Sequence, residues 1–93
     1  MLWMNSSNNL GMNMPIKLNC NLADGLMPAE KVVYIQNADG KVEEVSVSSN
    51  NLSGGSLLVS EIGRSEGNVL VELPRESASG RWRVWVKESS IGA

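Results

Sequence analysis

Arg81, Arg83, Trp85 and Lys87 recur at intervals of two near the C-terminal end of the chain. Successive side chains of a strand point to opposite sides, so these four share one face, and Trp82, Val84 and Val86 share the other. Three cations around one indole suit an elongated anionic ligand: the indole can stack on a base while the cations meet phosphates, as on the strand faces of barrels that bind single-stranded nucleic acid. Two other uses of the face compete with this one. An indole with no obvious partner can be covered by the Met- and Trp-containing N-terminal segment or by a second subunit, since exposed apolar surface often marks an interface. The face can also be simply solvated, with the Arg and Lys stems lying across the ring. We take cover by a protein partner or a homodimer as the leading reading and nucleic acid as the alternative. Arg81, Arg83, Trp85 and Lys87 are the candidate binding residues under both.

Catalytic chemistry has little to draw on. The chain has no histidine and one cysteine, so a Ser-His-Asp or Cys-His arrangement cannot be assembled within it. Zinc coordination is unexpected for the same reason, and no cofactor-binding motif is present. Glu43 and Glu44 are adjacent acids on a predicted strand. They face opposite ways and cannot converge as an acid/base pair; we expect both to be solvent-facing. The paired glycines Gly54-Gly55 are followed by Ser56-Leu-Leu-Val rather than by a helix and a lysine, which favours turn chemistry over phosphate binding.

The elements that must position Trp85 are short strands. Gly80–Glu88 alternates throughout, and its β-branched and aromatic residues suit a pleated surface. Ile16–Leu22 alternates as well, placing Ile16, Leu18, Cys20 and Leu22 on one side; Cys20 reads as a small core residue. Residues 31–36 and 41–48 flank Asn37-Ala-Asp-Gly40, the strongest hairpin signal in the chain. Gly40 fits the left-handed position closing a three-residue loop. That register sets Val33 against Val45 and Tyr34 against Glu44, and it puts Val33, Ile35, Val45 and Val47 on a common face. Strands are also predicted over 56–62 and 68–73, the latter ended by Pro74.

Six short strands with Gly, Asn and Ser turns and no convincing helix predict an all-β fold, a small antiparallel barrel or sandwich of five to six strands. An immunoglobulin-like sandwich is the less favoured arrangement, since Trp82 stands where a corner tyrosine is usual and no strand follows residue 88. The expected core is Val33, Ile35, Val45, Val47, Val69, Val71, Trp82, Val84 and Val86.

Ninety-three residues suffice for one core. We read residues 1–14, rich in Asn, Ser and Met, as a mobile N-terminal arm, and 15–90 as a single all-β domain. The formal net charge of −2 does not call for an anionic partner. A lone cysteine excludes an internal disulfide and fits a reducing compartment. With no recognisable signal peptide and no run of apolar residues long enough for a membrane span, a cytoplasmic protein that binds no membrane is expected.

Overall fold

The computed structural model describes residues 15–92; the expected arm over 1–14 lies outside them. The described chain is all-β and forms two antiparallel sheets. Its strands are β1 (Pro15–Leu18), β2 (Asn21–Asp24), β3 (Glu30–Gln36), β4 (Val42–Ser48), β5 (Leu52–Ser53), β6 (Ser56–Ser65), β7 (Asn68–Glu72) and β8 (Arg83–Lys87). The first sheet runs β1-β6-β7-β8, with β5 paired to the start of β6; the second runs β2-β3-β4. Strand pairing among the described residues does not close either sheet into a barrel.

Alternation builds the core. Val33 and Ile35 of β3, Val45 and Val47 of β4, Val69 and Val71 of β7, and Val84 and Val86 of β8 are all buried. Leu18, Leu57, Val59 and Leu73 complete a single apolar cluster drawn from both sheets. Because the inward positions are mostly β-branched, the side chains lose little rotamer freedom on packing while filling a pleated surface.

Turn chemistry fixes the registers. Gly40 has φ 85°, and the β3–β4 hairpin pairs Val33 with Val45 and Tyr34 with Glu44. Gly54 and Gly55 have φ 57° and 89°, the mirror-image turn that suits the twist of a two-residue hairpin, here joining β5 to β6. Glu66 and Gly67 do the same between β6 and β7, with φ 51° and 83°. The first of these strands, predicted over 56–62, runs further than expected: β6 extends to Ser65, with a bulge between Glu61 and Gly63.

Three expectations fail here. The predicted strand over Ile16–Leu22 is two strands in different sheets: β1 pairs with β6, and β2 pairs with β3. Asn19 and Cys20 make the crossing, tied down by Asn19 N donating to Ser90 O (2.8 Å) and Cys20 Sγ to Gly55 O (3.3 Å). Alternation survives such a break without trace, because hydrophobic period carries no information about which sheet a residue joins. Leu22, expected on the apolar side, is consequently 43% exposed. Cys20 packs against the core as expected, and burial pushes its thiol up, away from thiolate chemistry. Finally, Trp82 is not a core residue: it is 52% exposed. β8 begins only at Arg83, and Trp82 belongs to a turn whose carbonyl accepts from Leu73 N (2.8 Å). Leu73, across from it at the end of β7, is buried.

Candidate functional site

The connection from β7 to β8, residues 73–82, builds the site. Gly80 N donates to Ser77 O (2.9 Å) and Ser77 N to Arg81 O (2.8 Å), folding the segment into a tight turn, and Ala78 N donates to Glu44 O (2.7 Å) on the outer edge of β4. The turn thereby spans the gap between the two sheets. It carries two hydroxyls to Glu43: Ser79 Oγ donates to Glu43 Oε1 at 2.6 Å and Ser77 Oγ at 3.1 Å. Arg81 Nε lies 3.5 Å from Glu43 Oε2.

Glu43 is only 6% exposed, which corrects the expectation that both acids face solvent; Glu44 alone does so. The signal was present in the sequence. Glu43 stands two residues before Val45, on the face assigned to the core, and the β3–β4 register sets it opposite the buried Ile35. A carboxylate survives there because two hydroxyls and a guanidinium replace its water.

The second contribution comes from the β3–β4 hairpin. Its tip reaches β8, where Ala38 N donates to Trp85 O (2.8 Å). The tip is itself held by Asn37, whose Oδ1 accepts from the amides of Asp39 and Lys41 (2.9 Å each). Arg81, Arg83 and Trp85 thus come together with Asn37, Asp39, Lys41 and Glu43 around a cleft of about 160 Å³. Lys87 does not line it. On the other side of Asp39 a wider cleft of about 260 Å³ runs between Ala38, Ser65, Glu66 and Asn68, and Trp85 lines this one too. Trp85, 41% exposed, and Asp39 line both.

The electrostatics differ from those of an open basic face. Arg81 is engaged by Glu43, and Arg83 Nη2 lies 3.6 Å from Glu72 Oε1, its cross-strand neighbour in the β7–β8 register. Asp39, Glu43 and Glu66 offset Lys41, Arg81 and Arg83 around the two clefts. Sequence reasoning found three of the lining residues, Arg83 and Trp85 on β8 and Arg81 just before it, but none of the hairpin residues, because Asn37-Ala-Asp-Gly40 reads as turn chemistry wherever the turn is sent. No group of three or more metal-ligating side chains occurs among the described residues, and no helix of the described chain is long and apolar enough to cross a membrane.

Comparison with protein families, with curated proteins and with solved structures finds no match to this chain.

Proposed function

We propose that this chain is a non-enzymatic binding domain that takes a protein partner on the face of Trp85. The observation that supports this most is the position of the indole, half-exposed between two polar clefts and anchored through its own backbone to the β3–β4 hairpin. An aromatic side chain held on a rigid strand loses little entropy on contact and supplies much apolar area, as an interface anchor requires. Paired acids and bases around it, namely Arg81 with Glu43 and Arg83 with Glu72, suit the polar rim of a protein interface. We read the two sheets as a sandwich that serves as the scaffold, acting in the reducing environment of the cytoplasm.

The reading is tested by binding measured against Trp85→Ala and Trp82→Ala side by side. Both indoles are exposed, but only Trp85 lines the clefts. Loss of partner binding in Trp85→Ala with retention in Trp82→Ala supports the assignment; equal behaviour of the two variants removes it.

Nucleic acid is the alternative, carried by the same Arg81, Arg83, Trp85 and Lys87. The ion pairs disfavour it, since both arginines must leave a carboxylate before meeting a phosphate. Fluorescence quenching by short single-stranded DNA or RNA that weakens steeply with salt would favour it over a protein partner.

A further inference from the structure

We infer that the outer edge of β2 is a self-pairing edge, which joins the three-stranded sheets of two copies of this chain into one continuous sheet across a two-fold axis at Ala23. β1 and β8 end the path of the first sheet and β2 and β4 that of the second, with the two-residue β5 off the path beside β6, and three of these four end strands are crossed by other segments. Ala38 N donates to Trp85 O on β8, Ala78 N to Glu44 O on β4, and the 90–92 segment lies along β1 through Asn19 N to Ser90 O and Gly92 N to Lys17 O. β2 is the exception: among the described residues it pairs with β3 alone. Its guards are only its short length and the charge of Asp24, for it has no proline, no lysine and no bulge.

The free groups of this edge follow from the register. Gly25 N donates to Glu30 O (3.0 Å), and the β2–β3 pairing sets Leu22 against Val33 and Asp24 against Lys31. Backbone groups alternate in direction along an antiparallel strand, so Asn21 and Ala23 turn theirs toward β3, and Leu22 and Asp24 turn theirs outward. An edge whose outward residues flank a central alanine is self-complementary. Placing Ala23 opposite Ala23 of a second copy sets Leu22 opposite Asp24 and Asp24 opposite Leu22, and the outward N–H and C=O groups of both residues then find partners. The axis falls on the smallest side chain of the strand. Leu22 of each copy becomes a diagonal neighbour of the other across the axis, which covers a side chain otherwise 43% exposed. The same pairing directs the β2–β3 loop tip, where Leu26 is 98% exposed, toward the Asn19–Cys20 end of the second copy.

Charge permits this arrangement. The like-charged Asp24 residues that approach each other are each neutralised within their own chain, by Lys31 Nζ at 2.7 Å. Area limits its strength. An edge of four residues falls well short of the ~1,200 Å² buried in a standard stable interface, so the pairing is a weak, concentration-dependent one. A second copy is favoured over an unrelated extended peptide because the outward residues match their own register and the axis residue is the one that allows close approach.

Sedimentation equilibrium of the full chain up to millimolar concentration tests the inference, together with cysteine cross-linking in a Cys20→Ser background. The average mass is expected to rise toward that of a dimer, and Leu22→Glu, which sets a like charge directly opposite Asp24 of the second copy while leaving the β3 pairing intact, is expected to weaken association by about tenfold or more. Under oxidation Ala23→Cys is expected to form a disulfide-linked dimer, since residues facing each other in a non-hydrogen-bonded antiparallel pair lie ~4.5 Å apart at Cα. Asp24→Cys, two positions out of register with its own copy, is expected not to. A wild type that stays monomeric throughout overturns the inference. So does equal cross-linking of the two cysteine variants, or an association indifferent to Leu22→Glu but abolished by Trp85→Ala; the last result would place self-association on the Trp85 face instead. Capture of an extended peptide that competes with no self-association would likewise replace the second copy as occupant.

Discussion

Ser79 Oγ donates a 2.6 Å hydrogen bond to the buried Glu43 carboxylate, and this contact fastens the β7–β8 connection to the inner face of the opposite sheet. Together with the Ala78–Glu44 backbone bond it closes the side of the molecule on which Trp85 stands. The clefts beside the indole therefore depend on an acid of β4, which Arg81 links to the residues leading into the ring's own strand.

Replacing Glu43 should consequently loosen the site as well as the fold. Glu43→Ala removes the shared acceptor of the buried Ser77 and the exposed Ser79 and should cost about 1–3 kcal/mol. Glu43→Gln keeps one acceptor oxygen and should cost less. Urea denaturation gives both values. Hydrogen exchange at the Ala78 and Arg81 amides should accelerate in Glu43→Ala while that of the β3 amides follows global stability; unchanged local protection would show that the turn holds itself.

Burial and size part company at β8. Val86 is fully buried and Trp82 is half-exposed. Val86→Ala should destabilise by roughly 2 kcal/mol, through lost transfer energy and a residual cavity, and Trp82→Ala by about 0.5 kcal/mol although it deletes far more atoms. Thermal melts of the two variants check this, and the reverse order would return Trp82 to the core.

Glu66 adopts a left-handed backbone at φ 51°, which costs a side chain with a Cβ about 1 kcal/mol or more. Asn tolerates this conformation and is favoured in mirror-image hairpin turns. Glu66→Asn should therefore stabilise by up to ~1 kcal/mol, seen as a rise in Tm of about 4–8 °C for a domain of this size.

Acidification should destabilise the protein through two exposed or half-exposed carboxylates. The hydrogen bond from Arg64 holds the Glu61 carboxyl below its ordinary value, and that from Lys31 does the same for Asp24. Because both are depressed in the folded state, their contribution is complete above the unfolded carboxylate range and disappears as pH falls through the folded values. Tm should be flat above about pH 5 and decline below about pH 4. The effect should be modest and sensitive to salt, as exposed pairs are. Glu61→Gln should make the acid limb shallower.

The alternation of β3, β4, β7 and β8 was legible from the sequence, and so was the register of the Asn37–Gly40 hairpin. Both depend on neighbours in the chain: the pleat has a period of two, and a glycine at positive φ selects one loop geometry. Eight of the nine residues expected in the core are there, because a strand with one apolar face has one way to bury it.

What the sequence could not carry is where each strand goes. Ile16–Leu22 keeps its alternation across the Asn19–Cys20 crossing, so two sheets read as one strand. Trp82 shares the parity of Val84 and Val86 but lies beyond the end of β8. Glu43 sits in the apolar row of β4, yet its burial depended on Ser77, Ser79 and Arg81 arriving from more than thirty residues away in the chain. Arg81, Arg83 and Trp85 were named from the alternation over Gly80–Glu88 alone, while Asn37, Asp39 and Lys41 entered the site only when the hairpin tip was laid against β8. Periodicity records which way a side chain points; the packing of the two sheets determines what it meets.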